Sequence, residues 1–172
     1  IDRVVHELKD FASSSEYSQP QPVQLNEVVE KTLTLVGAQV RRTFAHFNLE
    51  LDPGLPYVEG HPTKLEQVVA NLVVNATHSL RPEVENSLKI STRCLDKLQV
   101  VVIQVEDNGV GIPPELQERI FEPFFTTRRN EGGTGLGLTV SHRLVKEQGG
   151  AIFLASRVGQ GSQFSVALPF QA

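Results

Sequence analysis

Apolar residues recur every three to four positions in three stretches of the chain and alternate with polar ones between them. Leu25, Val28, Val29, Leu33, Val36 and Val40 share one helical face. This spacing predicts a helix over 27–42, capped by Asn26, with Glu27 in the first turn where the helix dipole favours an acid. A second helix is predicted over 64–80, with Leu65, Val68, Val69, Leu72, Ala76 and Leu80 facing a core. Thr63 and Glu66 have the spacing of a capping box at its start. A third runs over 136–148 and stops at Gly149-Gly150. Strand-like alternation covers 44–51, 57–59, 88–95, 98–106, 152–156 and 163–168. The pair 88–95 and 98–106 reads as a hairpin about Asp96-Lys97, and the last two strands flank Gly159-Gln160-Gly161. Pro113-Pro114 opens a short helix to Ile120. Strands outnumber crossovers, so the pattern is not a doubly wound parallel sheet. It predicts an α+β fold, with helices packed on one face of a mixed, mostly antiparallel sheet.

Residues 1–13 carry Val4, Val5, Leu8 and Phe11 on one helical face and read as the end of a preceding helix. The Ser-, Gln- and Pro-rich run over 14–22 reads as a linker, which leaves 23–172 as the compact domain. The 172 residues, 40% hydrophobic, suit one domain with a core. A net charge of −4 shows no electrostatic footprint for nucleic acid or an anionic membrane. The single cysteine, Cys94, excludes an intramolecular disulfide and reads as a buried strand thiol. No apolar run approaches the ~20 residues that span a bilayer, and no signal peptide is visible. The chain starts at Ile1 and holds no methionine, so a piece of a larger protein is expected.

Three constellations carry candidate chemistry. On the second helix Gln67, Asn71, Asn75 and His78 fall in one polar arc opposite the core face. Asparagine is a poor helix former, and two of them four apart need a reason. One reading is a solvated face. The other is amide oxygens turned into a cleft to bind Mg²⁺, a hard ion that takes a few oxygens and completes its octahedron with phosphate and water. Next, Asp107-Asn108-Gly109-Val110-Gly111-Ile112 follows a strand. Asn-Gly alone suits a hairpin turn. A carboxylate at a strand end beside two glycines can instead accept a hydrogen bond from an exocyclic amine such as that of adenine. A calcium-binding EF-hand loop does not fit, because its ladder of acidic residues is missing.

The third constellation is Phe121 to Leu138, FEPFFTTRRNEGGTGLGL. Aromatic residues Phe121, Phe124 and Phe125 lead into Thr126, Thr127, Arg128 and Arg129. Gly133, Thr134, Gly135, Leu136, Gly137 and Leu138 then open a helix. Glycines at a helix start let a backbone approach a ligand, and the free N–H groups there attract anions. The stretch reads as a lid over phosphates. It is neither a P-loop nor a dinucleotide fingerprint, because G-x-G-x-G follows a loop and lacks the P-loop lysine.

In order and spacing, NLVVNATHSL resembles the N box of sensor histidine kinases. DNGVGI resembles their first glycine box, FEPFFTT their F box and GGTGLGL their second glycine box, while GQGSQFSVALP resembles the closing strand pair. The resemblance covers about 23–170. The family is the catalytic, ATP-binding domain of two-component sensor kinases, within the GHKL ATPases. It implies a two-layer sandwich that binds ATP and Mg²⁺ under a lid. Asn75 matches the principal Mg²⁺ ligand, and Asn71 lies beside the phosphates as a possible second. His78 matches a position that reaches the phosphates. Asp107 matches the carboxylate that reads the adenine amine, with Gly109, Gly111 and Ile112 giving the base room. Arg128 matches a lysine that follows the F-box threonines and would contact the γ-phosphate, with Arg129 a helper, and Thr126 and Thr127 count among the nucleotide-binding residues. Gly133 to Leu138 match the phosphate-cradling lid. Ser162 stands where a threonine supports the adenine pocket. His61 departs from the family, in which an aspartate caps the N-box helix.

The family phosphorylates its own histidine on a preceding helical hairpin and passes the phosphoryl group to the aspartate of a response-regulator receiver domain. His6-Glu7 superficially resembles that acceptor site. The Thr-Pro expected after the basic residue is absent, and too few residues separate His6 from Asn71. Residues 1–13 are therefore expected to be the end of the second hairpin helix, and the acceptor to lie outside the chain. Asn71 stands where hydrolytic members carry a glutamate base, and an amide cannot take a proton from water, so weak hydrolysis is expected. The resemblance further implies a cytoplasmic domain of a cytoplasmic or membrane-anchored parent. The parent would be a homodimer and the fragment a monomer. Two other readings compete: a nucleotide-binding module that only signals, and a GHKL ATPase or serine kinase of the anti-sigma type. The complete set of polar residues argues against the first, and the F box against the second.

Overall fold

A computed structural model describes residues 19–128 and 133–171. The predicted helix end over 1–13 and residues 14–18 of the predicted linker lie outside them. The described chain runs β1 (Gln21–Val23), α1 (Leu25–Thr43), β2 (His46–Glu50), β3 (Val58–Gly60), α2 (Pro62–Thr77), β4 (Ser87–Leu95) and β5 (Val100–Asp107). It continues through α3 (Pro114–Gln117), α4 (Gly137–Glu147), β6 (Ala151–Arg157) and β7 (Gly161–Pro169). Five strands form a sheet in the order β2-β4-β5-β7-β6. Only β2 and β4 are parallel; the other pairs are antiparallel. This is the mixed, mostly antiparallel α+β architecture that the alternation predicts.

One face of the sheet supplies the core. Leu88, Ile90, Val101, Ile103, Val105, Phe164, Val166 and Leu168 alternate inward and are buried. Leu65, Val68, Val69 and Leu72 of α2, Leu25, Val28 and Val29 of α1, and Leu144 and Val145 of α4 cover them. An amphipathic stripe of this kind, rather than intrinsic propensity, holds such helices in place.

The structure differs from the sequence expectations at several ends. Gln21 and Pro22, read as linker, belong to β1, which pairs antiparallel with β3. Proline fits there because a two-stranded edge leaves its missing N–H unneeded. Gln24, not Asn26, caps α1: its side-chain oxygen accepts from the Asn26 N–H. Asn26 turns inward, donating to the Asp52 carbonyl at 2.7 Å and accepting from Thr92 Oγ1 at 2.7 Å. No capping box forms at α2, because Pro62 starts the helix after His61 and leaves Thr63 inside the first turn. The helix ends at Thr77, short of Leu80. There the chain turns so that the Ser79 carbonyl can accept from the Val110 N–H at 2.7 Å, tying α2 to the loop after β5. Cys94 is only half-buried. Its S–H donates to Asp96, and this bond beside the carboxylate pushes the thiol up to about 11.

Candidate functional site

The arrangement places the polar arc of α2, the end of β5 and the start of α4 around one cavity of about 310 Å³. Asn71, Asn75 and His78 line it from α2 and its C-cap. Asp107, Gly111, Ile112 and Ser162 line it from the sheet end, and Thr126, Thr127 and Arg128 from the F box. Gly133, Thr134, Gly135, Leu136, Gly137 and Leu138 complete the wall. Gly109 stands behind Asp107 instead and donates its N–H to Asp107 Oδ1 at 2.8 Å. Arg129 lies outside the described residues.

Asp107 is the last residue of β5 and pairs in register with Ser162 of β7. It is buried, and burial pushes its carboxyl up to about 6, although the backbone N–H groups of Gly109 and Ser162 pull it down. A buried carboxylate with a raised pKa inside a cavity marks a functional position. The wall beside it is tightly made. Gly111 adopts φ +71, and a Cβ there would strike the Arg157 carbonyl. Gly111→Ala is therefore expected to lower stability by about 2–4 kcal/mol, read as a fall in the thermal midpoint. Ile112 N–H donates to Ser156 Oγ at 2.8 Å, and Ser156 Oγ lies 2.9 Å from Ser162 Oγ. Gln117 of α3 donates to both the Ile112 and Ser156 carbonyls. Sequence reading singled out neither Ser156 nor Gln117. Only the Pro-Pro helix start pointed to an element there.

The two asparagines differ. Asn71 Nδ2 is bonded across to α4. Asn75 Nδ2 is buried with no hydrogen-bond partner. A buried amide left unpaired costs on the order of 1–3 kcal/mol. Asn75 itself lines the cavity, and with its nitrogen buried the amide oxygen is the end that can be offered to a cation there. Among the described residues no group of three His, Cys, Asp or Glu is placed to hold a metal. A divalent ion here would take amide oxygen and ligand phosphate, the donor set suited to Mg²⁺.

At the other side the lid termini are pinned to the F box. Gly133 N–H donates to the Arg128 carbonyl at 3.0 Å, and Arg128 N–H to Thr126 Oγ1 at 3.1 Å. Phe124 N–H donates to the Gly135 carbonyl at 3.1 Å. Gly135 has φ +70, and a Cβ there would strike the backbone of Phe124 and Phe125. Phe121 packs on His142 of α4, and the Arg119 guanidinium sits 4.6 Å over the Phe125 ring. The aromatic residues thus anchor the segment and leave the threonines and Arg128 at the cavity.

Residues 60–172 match the family model described as histidine kinase-, DNA gyrase B- and HSP90-like ATPase. The signal transduction histidine-protein kinase AtoS of Escherichia coli (strain K12) is 38% identical over 98% of this chain and 27% of its own length. The catalytic domain of histidine kinase ThkA superposes with a TM-score of 0.76 at 32% identity, covering 88% of this chain and 98% of that domain. ThkA in complex with the response regulator TrrA gives 0.76 at 29% identity, over 99% of this chain and 47% of that one. The chain belongs to the histidine kinase-, gyrase B- and HSP90-like ATPases, as an ATP-binding catalytic domain of the sensor histidine kinase type. It spans between 24% and 35% of the length of the first curated relatives it matches. Among the described residues no helix is long and apolar enough to cross a membrane.

Proposed function

We propose that this domain binds Mg²⁺-ATP in the cavity and delivers the γ-phosphoryl group to a histidine imidazole carried outside the chain. That histidine would sit on a helical-hairpin domain of the same, homodimeric parent. The phosphoryl group would then pass to the aspartate of a response-regulator receiver domain, a partner type that ThkA shows in its own complex. The single observation that supports this best is the meeting of Asn71 and Asn75, buried Asp107, and Arg128 with the lid glycines around one cavity.

Each residue has a separate task in this reading. Asp107 accepts from the adenine amine, with Ser162 and Ile112 holding the wall around it. Asn75, and Asn71 as a possible second, would hold Mg²⁺, which supplies charge neutralisation on the phosphates when bound. Arg128, His78 and Thr127 face the phosphate end, and the N–H groups from Gly133 to Leu138 cradle it. The phosphorus–oxygen bond to the β-phosphate breaks as the imidazole nitrogen–phosphorus bond forms, and ADP leaves. The imidazole proton goes to an acid beside the acceptor histidine. Positioning and charge supply the catalysis, as is general for phosphoryl transfer.

The test mixes the domain with a separate histidine-bearing hairpin domain and Mg²⁺-ATP. Acid-labile phosphate on the hairpin is expected. Its absence despite proven ATP binding would replace this reading with that of a nucleotide-binding signalling module.

A further inference from the structure

Position 141 lies on the buried face of α4 between Val140 and Leu144. A helical period alone would fill it with an apolar residue, yet it holds a serine with 0% exposure. A hydroxyl in such a place costs stability unless it is bonded. Ser141 Oγ donates its one proton back along the helix to the Gly137 carbonyl at 2.9 Å. Its lone pair then accepts from Asn71 Nδ2 at 3.2 Å, and the same nitrogen donates to the Gly137 carbonyl at 3.2 Å.

Both partners of that nitrogen are acceptors. Gly137 offers only a carbonyl, and the Ser141 proton is already used. Flipping the amide would press the Asn71 oxygen against the Gly137 lone pairs, so its orientation follows from chemistry. Nitrogen faces α4, and the carbonyl oxygen is the end left for the cavity that Asn71 lines. Ser141 does not line that cavity.

We infer that Ser141 is a positioning residue for nucleotide binding: with the Gly137 carbonyl it fixes the Asn71 amide so that its oxygen meets the magnesium-phosphate end of the ligand. The triangle also joins the helix behind the lid glycines to the helix that carries both asparagines. Asn75, with its unpaired nitrogen, has no such partner, so the two amides are held differently. This inference rests on the reading of Asn71 proposed above.

The test is a double-mutant cycle of Ser141→Ala and Asn71→Ala, with affinities for Mg²⁺-ATP and for adenosine measured on all four proteins. Ser141→Ala is expected to weaken Mg²⁺-ATP binding about three- to tenfold, the range of one net hydrogen bond. Adenosine binding, governed by the Asp107 end, is expected to be unchanged. In the Asn71→Ala background Ser141→Ala is expected to add no further loss, and Ser141→Thr, which keeps the hydroxyl, to stay within about twofold of wild type. An equal loss in both backgrounds, or a parallel loss of adenosine affinity, would overturn the inference and leave Ser141 a packing residue. If Asn71→Ala weakens Mg²⁺-ATP binding but Ser141→Ala does not, the inference alone fails. Should Asn71→Ala leave Mg²⁺-ATP binding unchanged, the assignment of Asn71 fails and the inference with it.

Discussion

Asp107→Asn is expected to make the domain more stable and, at the same time, far poorer at holding ATP. The reason is the position of the carboxyl, buried at the end of β5 with its pKa pushed up to about 6. A folded-state pKa above the ordinary value means that folding favours the protonated form. The stability this group contributes is fully present below about pH 4 and is lost as pH rises through about 6. At pH 8 the ionised, buried carboxylate therefore costs the fold on the order of 1–3 kcal/mol, which asparagine relieves while keeping an oxygen for the Gly109 N–H. The same charge is what an exocyclic amine would seek. Removing it is expected to weaken ATP binding by roughly one hundredfold, the worth of a hydrogen bond to a charged group. A purine nucleotide lacking the amine is expected to lose much less. Thermal unfolding and titration calorimetry at pH 8 read both effects. Equal losses for the two nucleotides would remove Asp107 from adenine recognition. In wild type, ATP affinity is expected to fall as pH drops below about 6, because protonation takes away the negative charge that strengthens the hydrogen bond from the amine.

Asn75→Ala should act at the other end of the nucleotide. Its amide nitrogen is buried and unpaired, so truncation removes an unsatisfied group and is expected to leave folding nearly unchanged. Nucleotide affinity without metal is also expected to be nearly unchanged. The enhancement of affinity on adding Mg²⁺ is expected to disappear, a loss of roughly tenfold or more for one neutral amide oxygen bound to a charged ion. A titration of ATP with and without Mg²⁺ measures it. An undiminished Mg²⁺ response in Asn75→Ala would assign the metal to other oxygens.

What the sequence made legible follows the reach of each signal. The 3.6-residue period on α2 located its core face, and the polar arc left over on that helix lines the cavity. Alternation located the hairpin β4-β5, and with it the strand end where Asp107 stands. Element ends were legible only where local chemistry sets them. The apolar period runs three residues past the end of α2, whose stop depends on Ser79 reaching Val110, a contact that no local pattern announces. The residue type of Asn26 favours a cap, but Thr92 and Asp52 claim its side chain instead. Composition hid β1, since Gln21 and Pro22 become a strand only when β3 lies alongside. The bonds behind the site, from Ser141 to Asn71 and from Gln117 to Ile112, join distant or unpatterned positions, so periodicity could not reveal them.

The central claim is that a magnesium-bound adenine nucleotide occupies this cavity. Its most direct test is calorimetric titration of ATP into the domain with Mg²⁺ present at pH 8. A saturable heat with one nucleotide per chain is predicted; no detectable heat would contradict the account.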